Sequence, residues 1–350
     1  MSQPDAVAAV LWVGVTAYAV FGGADFGAGF WSLVAGRGER GRRARDLVHW
    51  AIGPVWEANH VWLIFVLVVL WTGFSSAFAS IFSTLFIPLS LAALGIVLRG
   101  SGFAFHKTAR RRRGRALAER LFELSSLLTP FYMGTVVGAV AGGRVPVGNA
   151  AGDSVTSWFN PLSLVIGALF VATSAYLAAV FLVSDARRAG APDLERYFTA
   201  RALAAAVAAG ALAVAGIVAL HADARYVYDG LTGDALPLVI VSALCGAAVL
   251  VLLRRAAPRG ARPLAVVAVV AVVAGWGVAQ HPYLLPQVLT IADGAAPSAT
   301  LTGLLIVFGV AVVLVLPSIA LLFTLAQRSL VAEGEAPQAP RSSGSTEPTQ

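Results

Sequence analysis

Apolar runs long enough to carry a helix across the hydrocarbon core of a bilayer, ~20 residues each, recur from one end of this chain to the other. They leave no stretch long enough for a separate soluble domain. With 58% hydrophobic residues, 12% charged residues and a mean hydropathy of +0.79, the composition lies outside that of a soluble chain. The pattern predicts an all-α polytopic membrane protein: a single transmembrane domain over residues 1–330, followed by a tail at 331–350. Rich in Pro, Ser, Gly, Gln and Glu and without apolar periodicity, the tail is expected to be disordered and cytoplasmic.

The expected spans cover 6–35, 47–72, 76–105, 121–143, 161–184, 201–221, 235–253, 264–282 and 300–326, nine in all, with Pro88 and Pro130 as sites where the third and fourth could kink. Basic residues stay on the cytoplasmic side. The nine-span pattern puts 23 of the 25 Lys and Arg on one face, including Arg99, and leaves only Arg144 and Arg225 opposite. That sorting places the N-terminus outside and the C-terminus in the cytoplasm. The net charge of +7 then reflects topology and attraction to anionic lipid head groups. No basic and aromatic groove suggests nucleic acid. The first residues lack the positive region of a cleaved signal peptide, so the first span is expected to persist. A lone Cys245 excludes a disulfide framework and a paired-cysteine metal site, and reads as a small packing residue.

Polar chemistry concentrates in the first three spans. The first ends in Phe21-Gly-Gly-Ala-Asp-Phe-Gly-Ala-Gly-Phe30, where glycines strip bulk from around Asp25 and let a neighbouring helix approach. The second carries His49 and then Pro54-Val-Trp-Glu-Ala-Asn-His-Val-Trp62, so that Glu57, Asn59 and His60 crowd one turn of an apolar helix. Counted from the arginine clusters, Asp25 and Glu57 both lie about ten residues inside, or ~15 Å. Charge at that depth is expensive and points to function. His60 shares a helix face with Glu57, and His49, Gly53, Trp56 and His60 form a stripe leading inward from the cytoplasm.

Two readings compete. Carboxylates close together in a low dielectric do not both ionise easily, so Asp25, Glu57 and His60 could relay protons, with Asn59, Arg99 and His49 as supporting polar groups. Alternatively, the acids pair with a cation such as Arg99 and fix helix packing. Metal binding by Asp25, Glu57 and His60 has no recognisable ligand spacing behind it, and His60 has no histidine at its own depth to make a haem ligand pair.

Several blocks resemble subunit II of the cytochrome bd-type quinol oxidases of bacterial respiratory chains: residues 23–29, Gly53-Pro-Val-Trp-Glu-Ala-Asn-His-Val-Trp-Leu63, Arg99-Gly-Ser-Gly-Phe103, Pro130 to Gly138 and Gly275 to Pro286, in the family's order. The resemblance implies a nine-helix subunit of the bacterial cytoplasmic (inner) membrane that docks against a haem-bearing subunit I. There quinol, the substrate of the complex, is oxidised and oxygen is reduced to water. It implies no cofactor on this chain, with haems b and d on subunit I, and leaves room for a small single-helix subunit and for membrane lipids. This chain would support subunit I and line a proton route from the cytoplasm, with Asp25 and Glu57 standing where the family has intramembrane carboxylates. Because protons come from inside and quinol releases its own outside, turnover would charge the membrane. Departures lie at Gly22 and Ala104, where relatives carry acids, and at His60, where they carry Gln or Glu. They open a route through His60 or His106, or a reduced one. Outside this family, a proton-coupled secondary transporter would need inverted halves that the second half does not offer, and a purely structural scaffold would make the buried acids dispensable.

Overall fold

The computed structural model of the chain describes residues 2–36, 38–52, 56–108, 112–255 and 259–332. Helix α1 (Gln3–Ala17) starts from a reciprocal cap in which Ser2 Oγ accepts from the Asp5 N–H and Asp5 accepts from the Ser2 N–H, satisfying two of the donors a helix start leaves open. A π-helical turn, Tyr18–Gly22, joins α1 to α2 (Gly23–Leu33). The first expected span is thus one apolar rod with a single wide turn in its middle, a device associated with functional positions.

After α3 (Glu39–Ile52) and α4 (Trp56–Gly73) come α5 (Ser75–Thr84), α6 (Phe86–Thr108) and α7 (Arg112–Ala141). The chain continues through α8 (Pro161–Arg188), α9 (Pro192–Asp223), the short α10 (Arg225–Thr232), α11 (Leu236–Arg254) and α12 (Ala261–Gln280). A two-stranded antiparallel hairpin, β1 (Tyr283–Leu285) with β2 (Leu289–Thr290), precedes α13 (Ser298–Ala332). The fold is mostly helical, and the hairpin corrects the expectation of a purely helical chain.

Among the described residues, six helices are long and apolar enough to cross a membrane, seven if the bent pair α4 and α5 counts as one span. The apolar parts of α6 and α13, Phe86–Gly102 and Ser298–Leu314, are shorter. The third expected span, 76–105, is corrected. It divides at Leu85 into α5 and α6, and α5 turns by 118° from α4. The reason is local. Pro88 has no N–H to give the Thr84 carbonyl, so the helix restarts with Pro88 in its first turn, where a missing donor is harmless. What holds α5 is the loop after α7, because Ser80 Oγ accepts from the Gly148 N–H at 3.1 Å and Ser83 Oγ from the Ala150 N–H at 2.8 Å. The second expected span, 47–72, is shared between α3 and α4, and residues 53–55, with the Gly53 of the expected stripe, lie outside the described residues, as does the expected tail beyond Ala332. Pro130, by contrast, sits inside a continuous α7.

Helix α2 packs against α8, α7 and α3 and brings Ala28 and Trp31 into the larger core, to which α8 contributes the largest share. Its glycines explain how closely. A Cβ at Gly27 would overlap the Ser174 carbonyl oxygen of α8, so this contact between backbones exists only because the side chain is absent. One turn on, the Trp31 indole N–H donates to the Ala175 carbonyl at 2.7 Å, so a buried polar edge finds its partner on the same neighbour. A second core gathers α1, α4, α5, the hairpin and α13.

Candidate functional site

With α2 held against α8 through Gly27, its opposite side faces α6 and α7, and the sequence puts Asp25 and Gly29 there. Arg99 of α6 reaches across to them. Its Nη2 donates to Asp25 Oδ1 at 2.7 Å and to the Asp25 carbonyl at 2.9 Å, and its Nε donates to Asp25 Oδ2 at 3.2 Å. Its Nη1 donates to Ser126 Oγ of α7, which in turn donates to the Phe122 carbonyl at 2.7 Å. Arg99 is 0% exposed and Asp25 3%. The two rings of Phe26 and Phe122 flank the guanidinium at 5.0 and 4.2 Å from its central carbon. A Cβ at Gly29 would overlap Ser126 Oγ and come within 2.9 Å of Arg99 Nη1, so this glycine makes the room the pin needs.

Arg99 therefore ties three helices, α2, α6 and α7, through one buried cation. Charges this deep persist only when paired and hydrogen-bonded, and nearly every donor of this guanidinium is used. The placement corrects the count of cytoplasmic cations, in which Arg99 is one of 23: its charge is spent inside the bundle, on Asp25, and does not face the cytoplasm.

Of the other expected residues, His60 and Asn59 lie on α4, and His60 stands next to this pair. His60 is half-buried with its ring centroid 6.1 Å from that of Phe26, the residue after Asp25, and it feels the charges of Asp25 and Arg99. Asn59 is buried. His49 of α3 packs its ring 5.7 Å from Phe122, one of the two rings that flank Arg99. Glu57 belongs to the first turn of α4, but its side chain, like those of Ala104 and His106, lies outside the described residues. So the structure brings together Asp25, Arg99 and His60.

Sequence reasoning missed four residues. Ser126 is the third leg of the pin. Tyr18, in the π-helical turn, has a buried hydroxyl with no hydrogen-bond partner among the described residues, close enough to sense Asp25 and Arg99. A Cβ at Gly22 would come within 2.8 Å of the Tyr18 ring, so the tyrosine fills the space where relatives were expected to carry an acid. Ser32, buried two turns from Asp25 on α2, donates to Glu123 Oε1 of α7 at 3.1 Å. Adjacent serines at 125 and 126 in an apolar run were the available signal. Glu123 was hidden because it falls at the predicted edge of a span, where an acid needs no explanation.

Among the described residues no group of three or more His, Cys, Asp or Glu is placed to hold a metal ion. What the arrangement offers is a fixed, neutral ion pair with hydroxyl, imidazole and carboxylate groups around it.

Comparison with known proteins gives this geometry its context. A family model described as cytochrome bd terminal oxidase subunit II matches residues 3–326. A Bacillus subtilis (strain 168) protein named as a cytochrome bd menaquinol oxidase subunit II is 24% identical over 320 residues, which is 88% of this chain and 91% of that one. Cytochrome bd-I ubiquinol oxidase subunit 2 of Escherichia coli (strain K12) is 27% identical over 216 residues, 60% of this chain and 55% of that one. Among solved structures, a chain of the bd oxidase from Geobacillus thermodenitrificans superposes with a TM-score of 0.71 at 26% identity, covering 93% of this chain and 98% of that one.

Proposed function

This chain belongs to the cytochrome bd terminal oxidase subunit II family, and on that premise we propose that it is the haem-free subunit of a bd-type quinol oxidase, lining a cytoplasmic proton path toward subunit I. As a member of that family it is a multi-pass protein of the bacterial cytoplasmic membrane and one subunit of an oxidoreductase complex. The reading takes nine crossings: the α1–α2 rod, α4, α6, α7, α8, α9, α11, α12 and α13, with the N-terminus outside. On this reading the ten residues of α5 lie at the outer surface. The basic turns between α2 and α3, α6 and α7, α8 and α9, and α11 and α12 then face the cytoplasm together.

Haems b and d, held by subunit I, supply the oxygen chemistry, and this chain's contribution is structural and protonic. Glu57 and His60 are assigned the movable proton, since residues three apart share a helix face and His60 stands beside the buried pair. Asp25 is assigned the fixed charge that lets Arg99 stay buried next to that path without an uncompensated positive field. Lipids surround the bundle, and a small single-helix subunit would sit against its outer helices. The single observation that carries the reading is the Asp25–Arg99 pair with His60 beside it, at 3% exposure for Asp25 and 0% for Arg99, inside a chain of this family.

One observation favours the packing reading for Asp25 in particular: Arg99 contacts both carboxylate oxygens and the backbone carbonyl, leaving the carboxylate little freedom to exchange a proton. The test is Glu57→Gln in the two-subunit oxidase. We expect quinol-driven oxygen consumption to fall by ~10-fold or more with the haem spectrum unchanged. If Glu57→Gln and His60→Ala together leave turnover at the wild-type rate, the proton path is refuted and the chain is a scaffold.

A further inference from the structure

We propose that Glu123 is the carboxylate that loads protons from the cytoplasm into the seam between α2 and α7, and that Ser32 hands them inward. The proposal rests on the proton-path reading and deepens it by naming where that path begins on the described surface. Glu123 is half-buried on α7, and its carboxylate accepts from the Ser32 hydroxyl at 3.1 Å across the seam. Ser126, three residues on and so on the same helix face, accepts from Arg99. On α2, Ser32 is buried and stands seven residues from Asp25, close to two full turns and ~10.5 Å along the axis. Between them, at Gly29, the missing side chain leaves its place to Ser126 Oγ and Arg99 Nη1. The seam thus carries, from its cytoplasmic end inward, Glu123, Ser32, then Ser126 Oγ packed against Gly29, with Arg99 and Asp25 beyond it.

Glu123 lies one turn inside α7 from Glu119 and Arg120, and the charged groups around it among the described residues are those two and Arg45 of α3, with Arg99 of α6 further in. It makes no salt bridge within 4.0 Å to a described cation, unlike Asp25 and Asp185, so no ion pair explains its place. The transfer is balanced. Glu123 takes one proton from cytoplasmic water and becomes neutral. It then returns to the carboxylate by giving a proton to Ser32 Oγ, while Ser32 passes its own hydroxyl proton to water in the seam and is left unchanged.

The experiment uses the complete two-subunit oxidase, with turnover measured as oxygen consumption between pH 5.5 and 8.5, proton uptake measured in liposomes, and the haem spectrum as the measure of assembly. Glu123→Gln should reduce turnover by ~10-fold or more, most at high pH, where protons are scarce. Glu123→Asp should restore part of the rate with a displaced pH profile, a result that a packing role does not produce. Should Glu123→Gln fail to assemble, Ser32→Ala reads the same seam: it keeps the acid and must still slow proton uptake. Wild-type turnover and pH profile in Glu123→Gln, or in Ser32→Ala where that is the variant that assembles, overturns the proposal. With Glu57→Gln run in parallel, the failures separate. If Glu57→Gln is slow and Glu123→Gln is not, only the loading site is wrong; if neither is slow, the path itself is.

Discussion

Replacing Asp25 by asparagine is the sharpest test of the buried pair, because the amide has nearly the shape of the carboxylate and differs in charge. In the wild type the guanidinium gives two hydrogen bonds to the Asp25 side chain, at 2.7 and 3.2 Å, while 0% of Arg99 is exposed to solvent. The amide of Asp25→Asn can accept only one of them and would leave a buried cation without a counter-charge. Breaking one side of a buried pair costs about 3–5 kcal/mol, so the variant should lose roughly two orders of magnitude or more in its folded population. The combination Asp25→Asn with Arg99→Gln removes both charges and keeps two amides that can bond each other, so it should recover about 2 kcal/mol or more of that loss. The assay is the thermal midpoint at which the detergent-solubilised complex loses its haem spectrum, with Arg99→Gln completing the cycle. Additive single losses, with no recovery in the double variant, refute the reasoning. The same double variant separates the two readings of Asp25: a stable complex with wild-type turnover leaves Asp25 a packing residue, and a stable complex with slow turnover gives it a place on the path.

Three further outcomes follow from the packing. Gly27→Ala should be destabilising by ~2 kcal/mol or more, since its Cβ would overlap the Ser174 carbonyl, and the yield of assembled complex should drop; Gly210→Ala, where nothing lies within 4 Å, should be harmless. Tyr18→Phe removes a buried hydroxyl that has no partner among the described residues, so thermal stability should hold or rise by ~1 kcal/mol; a clear fall would show that the hydroxyl holds an ordered water beside Asp25. In the loop between α7 and α8, the backbone N–H groups of Thr156 and Val155 hold the exposed Asp153 carboxyl below its ordinary value of 3.8. A depressed acid stabilises the fold above its unfolded pKa and loses that contribution as pH falls through its folded value. Protection of the Val155 and Thr156 amides from hydrogen exchange, taken relative to the intrinsic rate at each pH, should therefore be unchanged from pH 8 down to about 5 and fall only below ~4, and Asp153→Ala should show the lower protection at every pH.

Membrane helices write themselves plainly into sequence, because each must be apolar along its whole length, and most of the expected spans have a counterpart here. What the pattern could not show was how the polar residues inside them are used. Asp25 stood out because its neighbours are glycines and its depth is unreasonable for a free charge. Arg99 counts by position among the cytoplasmic cations and is also the cation on offer to the buried acids; hydropathy alone does not say which way a side chain at the end of an apolar run points, and the structure pairs it with Asp25. The break at Leu85 was half-visible in Pro88, but the turn of 118° depends on Ser80 and Ser83 meeting backbone donors some 67 residues further along the chain. A π-helical turn leaves no mark in hydropathy, so Tyr18 went unread. Glu123 was concealed by its position near a predicted helix end, and only the contact with Ser32 shows that it faces inward.

The pin and the seam are one construction. Arg99 holds α2 and α7 to α6 at one end of the groove, while Ser32 and Glu123 bridge it at the other, so the width between α2 and α7 is fixed at both ends by hydrogen bonds. A proton approaching a bare guanidinium would be repelled strongly in so dry a place, and Asp25 cancels that field. The pair can therefore stand beside a proton route without carrying a proton itself. This distinction is visible in kinetics. A residue that only fixes the groove alters turnover alike at all pH values, because it changes geometry, whereas one that takes up protons alters the rate most where protons are few. Arg99→Lys, which keeps the charge but cannot span Asp25 and Ser126 together, should lower stability and shift turnover uniformly. Glu123→Gln should leave stability nearly intact and change the slope of rate against pH. If the two variants gave the same pH profile, the separation between holding the groove and filling it with protons would be wrong.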